Sequence, residues 1–491
     1  MKDDEIDLPI EDIKILDSIT IEDEQQDTFK QHFKEQVEIL TDLDSLTDPE
    51  AIPDREYWQP KESEDKFGAF LTRCEICTSD QGLISGLEIG VKDNIAVAGI
   101  PMTAGSPILE EYIPSKDATS IQRILKSGGK IVGKTNLDEF AMGHDDSTMR
   151  FRIARNPLDD ERLPGGSSVG SAVAVADGLV DVALGSDTGG SIRLPASWCG
   201  IIGFKPTRGL VSHHGFVQYA KTLDTIGVMG SELPSIADTL QAIAGTDPRD
   251  SLTSDARVGD YRSAVLRGRE KRSSKFKIGF TNEMFGHDDK IDGEINEILD
   301  KLERFGTTIR EVAIDYFEYS LPAWLAISIT EFGAYVTSRF NNYWRISSGA
   351  PHITEEIHKR LKTDADLLGD PVIEQLLKYH YLRDTCGDKF YARGQRARAK
   401  ITSSIDNIFS IADAIICPTI PMVAPTVDEG LGDVNKLTAN TRPFSLSGHP
   451  AISVPIGEIN GLPVGLQIIG ARFDEETVFQ VAAHVNQILK E

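Results

Sequence analysis

The sequence predicts an α/β fold in which a single large mixed β-sheet core is covered by helices, with a helical N-terminal extension. Between about residues 84 and 232, short apolar strands alternate with glycine turns and helices of small residues, as is typical of such a layered fold. Strand-like patterns return at 414–417, 451–456 and 464–469, so the two ends of the chain can complete one sheet. Residues 1–60 are rich in Asp and Glu and carry apolar residues at helical spacing, which predicts the extension.

The predicted domain organisation is an acidic helical extension at 1–60 followed by one main domain at 61–491. The main domain consists of a core at about 84–232, a helical and variable insertion at about 233–410, and strands with a closing helix at 411–491.

Individual elements follow from the spacing of apolar residues. In the extension, helix faces are predicted from Ile6, Ile10, Ile13 and Leu16, and from Phe33, Val37 and Leu40 in the stretch 29–46. In the main domain, strands are predicted at 87–97, with a polar interruption at 92–94, at 131–132 and at 308–314. Helices are predicted at 117–127, 291–305 and 475–489.

The composition argues against several classes of partner. The 491 residues include 51 Lys and Arg against 77 Asp and Glu, a formal net charge of −26. Because phosphate backbones and anionic lipids are bound by concentrated positive charge, neither nucleic acid nor a membrane is expected as a direct partner. No apolar run of about twenty residues predicts a transmembrane helix. The acidic N-terminus lacks a signal-peptide pattern and five cysteines are too few for a disulfide framework, so a cytoplasmic protein is expected.

Two glycine- and serine-rich stretches, 164–171 and 185–193, carry the strongest chemical signal. Glycines there allow backbone N–H groups to converge on an anion, either a bound phosphate or a developing oxyanion. The phosphate interpretation lacks the Gly-Lys-Ser/Thr ending of a phosphate loop, and neither stretch forms the dinucleotide pattern Gly-x-Gly-x-x-Gly. Glycine-serine loops are also common as structural turns, so this signal alone is weakly specific.

A lysine in an apolar strand upstream strengthens the catalytic interpretation. Lys92 follows Ile89 and Val91, a context in which a lysine is usually a surface residue with its amine in water. If the amine is buried instead, desolvation lowers its pKa and makes it a usable base. Because a serine hydroxyl needs a base within hydrogen-bond reach, a lysine, two serines and a glycine-rich loop can form an acyl-transfer site without histidine.

These segments resemble the motifs of the amidase signature family of serine hydrolases. The matching segments are 91–94, 164–168, 187–193, 199–200, 203–207 and 444–451. Ser191 follows Ser167 by 24 residues and Lys92 by 99, spacings that fit the family. The resemblance is strong over about 65–232 and good over 410–490, and it implies the amidase signature fold for the main domain.

The resemblance implies a Ser-cisSer-Lys triad. In it Ser191 is the acylated nucleophile, Ser167 is the bridging serine held by a cis peptide to Gly166, and Lys92 is the base. Amide hydrolysis through such an acyl-enzyme proceeds in two steps, acylation with loss of the amine and attack by water.

The resemblance also implies supporting residues. The backbone N–H groups of Thr188, Gly189, Gly190 and the nucleophile form the oxyanion hole. Ser168, Asp187 and Arg193 support the loop. Val169 stands where many family members carry glycine, a departure that concerns loop geometry and leaves the triad intact.

No cofactor is implied, and no metal is expected. Cys74 and Cys77 form a Cys-x-x-Cys pair, but no second Cys or His pair follows at metal-ligand spacing. Cys199 and Cys417 lie in apolar, strand-like runs and are expected in the core.

Two functions share this core. The first is an amidase that hydrolyses a carboxylic amide to carboxylate and ammonia. The alternative is the glutaminase (A) subunit of glutamyl-tRNA(Gln) amidotransferase, which supplies ammonia to a partner subunit. The expected partners are accordingly a small-molecule amide and a second copy in a homodimer, or B and C subunits under the alternative.

Two features favour the stand-alone amidase. The acidic extension is longer than the amidotransferase subunit usually has. The acidic residue with which that subunit holds the amino group of glutamine is replaced here by Thr438 or the nearby Asn440. The wall of the acyl pocket is expected from the 210–225 loop and the 315–410 helices, including Phe216, Tyr219, Tyr335 and Trp344.

Overall fold

The structure, a computed structural model, describes residues 23–41, 51–270, 276–337 and 351–490. They divide into two compact units, the first ending at Ala51 and the second beginning at Ile52. The described part of the first unit contains helix α1, Asp23–Thr41, which covers most of the amphipathic stretch predicted at 29–46. The predicted helix face at 6–16 and the residues 42–46 lie outside the described residues. The proposed boundary near residue 60 stays a prediction.

The second unit contains a mixed β-sheet, which confirms the predicted fold class. In the part of the chain that the structure describes, this sheet has twelve strands: β1 Tyr57–Trp58, β2 Phe70–Ile76, β3 Glu88–Lys92, β4 Lys130–Thr135, β5 Val182–Asp187, β6 Ile202–Lys205, β7 Thr225–Gly230, β8 Lys277–Phe280, β9 Thr308–Glu311, β10 Ala414–Pro418, β11 Ala451–Ile459 and β12 Leu462–Gly470. Their order across the sheet is β1-β2-β4-β3-β5-β7-β6-β11-β12-β10-β8-β9.

Parallel and antiparallel pairs are both present. Strand β3 is parallel to β4 on one side and to β5 on the other, whereas β5, β7, β6, β11, β12 and β10 pair antiparallel in succession. The C-terminal hairpin β11–β12 therefore lies inside the sheet and, together with β10, joins the strands before residue 232 to those of the insertion. The two ends of the chain do complete one sheet, as the returning strand pattern predicts.

Helices pack around this sheet. They are α2 Thr119–Lys126, α3 Val169–Ala176, α4 Arg193–Trp198, α5 Leu233–Ile243, α6 Tyr261–Gly268, α7 Asp289–Arg304, α8 Ser320–Thr337, α9 Pro351–Thr363, α10 Asp370–Cys386, α11 Lys389–Ile408, α12 Val434–Leu437, α13 Arg442–Ser447 and α14 Glu475–Ile488. The core is formed by apolar strand residues such as Ile89, Val91, Leu184 and Val228, all fully buried. Near-continuous apolar runs of this kind are typical of strands covered on both faces.

Three element predictions were wrong in detail. The strand predicted at 87–97 ends at Lys92, because the Ile95 N–H turns back to the Lys92 carbonyl at 2.9 Å. The strand predicted at 308–314 ends at Glu311. Cys199 is buried as expected, but it follows α4 as the residue that ends a helix and is not part of a strand.

The strand order places the ends of three parallel strands together. Because β3, β4 and β5 run the same way, their carboxyl ends meet at one edge of the sheet, with Lys92 opposite Thr135 in register. The Lys92 side chain therefore lies at the edge of the sheet where β4 and β5 also end.

Candidate active site

The Lys92 side chain is buried in a cluster of serine hydroxyls. It is fully buried at the end of β3, and its Nζ lies 2.8 Å from Ser167 Oγ, 3.0 Å from Ser168 Oγ and 2.9 Å from Ser186 Oγ. The structure thus brings together the predicted lysine and the two serines from the first glycine-rich stretch. Ser186 belongs to β5 and was not predicted, although it lies within the second stretch.

The hydrogen bonds of these hydroxyls distinguish Ser167 from its neighbours. Ser168 Oγ donates to the Ser186 carbonyl at 3.0 Å, so toward Lys92 it acts as an acceptor. Ser186 Oγ accepts a second bond from Asn94 Nδ2 at 3.2 Å. A neutral amine has two N–H donors and one lone pair, and the two donors are matched by Ser168 and Ser186. The lone pair is then free to accept the proton of Ser167.

Burial also sets the protonation of Lys92. Desolvation lowers the pKa of Lys92 to about 7, against the opposing attraction of Asp138, Asp187 and Asp224. The amine is therefore neutral in a substantial fraction of molecules at neutral pH, as a general base requires.

Two other buried lysines show that the surroundings matter as much as the pKa. Burial lowers the pKa of Lys205 to about 7 as well, but its Nζ donates to the carbonyls of Pro206 and His449, which have no proton to give. Lys134 forms an ion pair with Asp93 at 2.7 Å. Among these three lysines, Lys92 alone contacts hydroxyl groups.

The segment before α3 has the geometry implied by the resemblance. The peptide bond between Gly166 and Ser167 is cis, and α3 begins at Val169, so the Gly-to-Val departure is accommodated in a helix. A Cβ at Gly166 would lie 2.2 Å from Asp138 Oδ2, so only glycine fits there. The Ser168 N–H donates to the Ser191 carbonyl at 3.1 Å, which joins the two glycine-rich stretches.

The second stretch is held by a buried ion pair. Arg193 donates to both carboxylate oxygens of Asp187, at 2.8 and 2.9 Å, and both side chains are fully buried. Although burial opposes it, Arg193 holds the pKa of Asp187 below its usual value. Arg193 also donates to the Thr441 carbonyl, to Ser445 Oγ and to Gln467 Oε1, at 3.0, 2.8 and 2.7 Å. The predicted supporting pair thus connects the loop to the C-terminal part of the chain.

The peptide groups at 188–190 are oriented by contacts from distant elements. The Thr188 carbonyl accepts from Trp324 Nε1 at 3.0 Å, and the Gly189 carbonyl accepts from Thr441 Oγ1 at 2.5 Å. Since N–H and C=O point opposite ways in a trans peptide, these bonds direct the N–H groups of Gly189 and Gly190 to the other side. Side chains would not fit: Gly190 has φ +140°, and a Cβ there would meet Thr441 Oγ1 at 2.4 Å. Ser191 follows directly and is 7% exposed.

Sequence reasoning missed several residues around this site. Burial raises the pKa of Asp138 to about 7, and its Oδ2 is buried without a hydrogen-bond partner beside Gly166. Burial lowers the pKa of His144 to about 4, so that this ring is neutral. Asp138 follows β4, which pairs parallel with β3, and a prediction of this pairing could have placed Asp138 near Lys92. The sequence around Trp324 carries no pattern that predicts its contact with the loop.

The structure describes some of the residues expected to line the acyl pocket. The Tyr219 ring lies 6.3 Å from that of Trp324, which contacts the loop. Tyr335 lies on α8 and is buried, and Trp344 lies outside the described residues.

Within the described ranges, no group of three or more His, Cys, Asp or Glu is placed to hold a metal ion. None of the helices described is long and apolar enough to cross a bilayer.

The comparisons with known proteins identify the family. The chain belongs to the amidase family, whose model, described as Amidase, matches residues 68–479. It is similar to the A subunit of the glutamyl-tRNA(Gln) amidotransferase of Halobacterium salinarum, with 40% identity over 427 residues, 86% of this chain and 100% of that protein.

Two solved structures share the fold. That of the glutamyl-tRNA(Gln) amidotransferase A subunit from Thermotoga maritima has a TM-score of 0.71 and 34% identity, covering 86% of this chain and 88% of that one. That of native peptide amidase from Stenotrophomonas maltophilia has a TM-score of 0.70 and 27% identity, covering 83% and 84%. The chain is thus an amidase-family hydrolase that acts on carbon–nitrogen bonds.

Proposed function

We propose that this chain is the glutaminase (A) subunit of a glutamyl-tRNA(Gln) amidotransferase. The observation that carries the proposal is the 40% identity to the corresponding Halobacterium salinarum protein, which extends over that protein's whole length. The Thermotoga maritima structure, at 34% identity, is of the same kind of subunit. The B and C subunits are the proposed partners, and a reaction that uses aminoacylated tRNA agrees with the expected cytoplasmic location.

The proposed acylation uses the hydroxyl cluster as a proton path. Ser191 Oγ attacks the side-chain amide carbon of glutamine, its proton passes to Ser167 Oγ, and the proton of Ser167 passes to neutral Lys92. The N–H groups of Thr188, Gly189 and Gly190 stabilise the oxyanion that forms. When the C–N bond breaks, Lys92 returns the proton through Ser167 to the leaving nitrogen, which departs as ammonia.

Deacylation reverses the path with water in place of the amine. Water attacks the acyl-Ser191 carbon, its proton moves through Ser167 to Lys92 and then back to Ser191 Oγ, and glutamate is released. The sum is glutamine plus water giving glutamate plus ammonia. Ser168, Asp187 and Arg193 act in this scheme by holding the two glycine-rich stretches in place.

The stand-alone amidase is the second candidate function. Its support is the likeness to peptide amidase, at 27% identity, and the absence of a carboxylate at Thr438 and Asn440. Thr438 Oγ1 accepts from Arg442, and Asn440 Nδ2 donates to the carbonyls of Met284 and Pro418. The lower identity makes this candidate the weaker of the two.

Reconstitution separates the two candidates. The purified chain is offered glutamine, a small aliphatic amide and an aryl amide, alone and with B and C subunits and glutamyl-tRNA(Gln), and ammonia is measured. We expect glutaminase activity that rises at least about tenfold with the partners, with Ser191→Ala as the inactive control. Rapid hydrolysis of the aliphatic or aryl amide by the chain alone, with no effect of the partners, would establish the stand-alone amidase instead.

A further inference from the structure

Helix α11 carries a basic stripe on a chain whose net charge is −26. The stripe consists of Lys389, Arg393, Arg396 and Lys400, which follow one another at intervals of four, three and four residues. Because an α-helix has about 3.6 residues per turn, this spacing places the four side chains within about 60° of one another around the helix axis. They extend over about 16 Å along one face of the helix, and all four residues are exposed.

No carboxylate neutralises the basic stripe in the part of the chain that the structure describes. None of its four residues forms an ion pair there, whereas Lys301 pairs with Glu297 and Lys378 with Glu374, each on its own helix. Helix α11 has no Asp or Glu before Asp406, so it offers the stripe no such partner. Like charges three and four residues apart on a helix repel one another, and this repulsion is relieved when an anion binds.

An open groove runs beside the basic stripe, between α11 and the beginning of α8. Its volume is about 540 Å³, and the described residues that line it include no acidic side chain. Three cations of the stripe and three aromatic rings line it, those of Arg393, Arg396, Lys400, Tyr316, Tyr319 and Phe390. Each of the three aromatic residues is at least 40% exposed. An exposed apolar surface that is bordered by charge is typical of an interaction site.

The aromatic rings of the groove alternate with the cations. Tyr316 has φ +67°, a backbone conformation uncommon for a bulky residue, and Lys400 Nζ lies 4.6 Å from the centroid of its ring. Lys389 Nζ lies 5.7 Å from the ring centroid of Phe390. The ring of Tyr319 lies 6.4 Å from that of Tyr316, and Tyr319 is 49% exposed. Proteins that bind single-stranded RNA combine these two features, because cations neutralise the phosphates while bases stack on exposed rings.

We propose that this surface binds a strand of tRNA, with phosphates on the basic stripe and an unpaired base on the ring of Tyr319. The proposed function assigns glutamine hydrolysis to this chain and gives it no contact with RNA, so the inference goes beyond it. In naming tRNA as the occupant, the inference rests on the proposed function.

The net charge of −26 does not exclude this partner. At an ionic strength of about 0.15 M, charges more than about 8 Å away are largely screened, so a strand on the stripe interacts mainly with the four cations. The expectation that nucleic acid is not a direct partner follows from the composition of the whole chain. The structure concentrates part of the positive charge on one helix face, which composition alone does not reveal.

The first test measures binding of tRNA to the full-length chain by fluorescence anisotropy between about 50 and 200 mM KCl. Arg393→Gln/Arg396→Gln should raise the dissociation constant by at least about tenfold at the lower salt concentration. It should also reduce the slope of log affinity against log salt by about 1.4 to 1.8, because each phosphate contact contributes about 0.7 to 0.9. The matched control is Lys290→Gln/Arg304→Gln, which removes the same charge from exposed residues of α7 and should change the dissociation constant by less than about twofold.

A second test separates base stacking from charge. Tyr319→Ala should raise the dissociation constant by about fivefold or more, as expected for the loss of one stacked base, and leave the salt slope unchanged. Tyr319→Phe keeps the ring and should bind tRNA as the unaltered chain does. Basal glutaminase activity should be unchanged in all these variants, because none of the replaced residues belongs to the candidate active site, and this shows that the variants are folded.

The other outcomes are equally defined. Absence of saturable tRNA binding below about 100 μM, the weak end of non-specific affinities, would overturn the inference, as would equal weakening in the stripe and control variants. Stripe variants that keep their affinity for tRNA but assemble more weakly with the B and C subunits would show that the surface docks an acidic partner protein, and the inference would be wrong. If tRNA binding depends on the stripe but the partners and glutamyl-tRNA(Gln) do not stimulate glutaminase activity, the inference stands and the proposed function fails.

Discussion

At the scale of single residues, the proposed chemistry depends on how Lys92 is kept neutral. Burial lowers its pKa to about 7, and the hydroxyl groups that hydrogen-bond to its amine carry no negative charge that would hold the amine protonated. Lys134, equally buried, keeps a carboxylate partner in Asp93. The same residue type therefore serves as a candidate base in one strand and as half of an ion pair in the adjacent one.

This arrangement predicts the pH dependence of activity. A base must be deprotonated, so kcat/KM should be constant well above pH 7 and fall about tenfold per pH unit below it. Lys92→Arg keeps the side chain protonated at all accessible pH values and should lower kcat by at least about 100-fold. The measurement is ammonia release between pH 5.5 and 9, with far-UV circular dichroism to check folding. Lys436→Arg, an exposed control, should leave the profile unchanged; an unshifted profile in Lys92→Arg would show that another group is the base.

At the scale of elements, the loop between β5 and α4 is stabilised from the other half of the chain. Arg193 connects Asp187 on its own loop with Thr441, Ser445 and Gln467, which belong to the C-terminal segment. Its planar group makes these bonds in several directions at once, which an ammonium group cannot reproduce.

Arg193→Lys tests this connection. The lysine keeps a positive charge next to Asp187, but several hydrogen bonds are lost. We therefore expect the free energy of unfolding to fall by about 1–3 kcal/mol. We also expect a fall in kcat larger than any change in KM, because the loop orients the candidate oxyanion hole. Chemical denaturation and steady-state kinetics measure the two effects. Arg262→Lys, on an arginine whose side chain is 47% exposed in its ion pair with Asp238, is the control; comparable losses in both variants would contradict the role given to Arg193.

The same contrast shows what the sequence could predict. The glycine-serine stretches, Lys92 and the cis peptide are local in sequence, and all were identified from motifs. Trp324 contacts the loop from α8, and no local pattern marks a residue whose role depends on a contact more than a hundred positions away. Residues 92–94 were recognised as a polar interruption of the strand predicted at 87–97, but the strand does not resume after them: β3 ends at Lys92, where Asp93 contacts Thr103 and Lys134.

At the scale of the whole molecule, the excess of acidic residues is the dominant feature. The net charge is −26, and the excess carboxylates repel one another most strongly in the compact folded state, where they are closest together. Salt screens such repulsion, with a screening length of about 10 Å at 0.1 M and about 3 Å at 1 M.

Stability should therefore increase with salt. We expect the melting temperature to rise by several degrees between 0.05 and 0.5 M NaCl, as followed by differential scanning calorimetry at pH 7.5. Sucrose at equal osmolality is the control, because it acts by exclusion from the surface and not by screening. A melting temperature that is flat or falls with NaCl, or that rises equally with sucrose, would contradict an electrostatic cause.

The position of the hairpin β11–β12 inside the sheet has a consequence for biosynthesis. These strands are translated after all the other described strands, yet they lie between β6 and β10, and Gln467 of β12 completes the contacts of Arg193. A nascent polypeptide therefore lacks the middle of its sheet until the ribosome has passed residue 470. Premature termination before residue 451 would leave two groups of strands with unpaired edges, which are prone to aggregate, and not a shortened enzyme. Amide cleavage is in this way confined to chains that have been translated through β12.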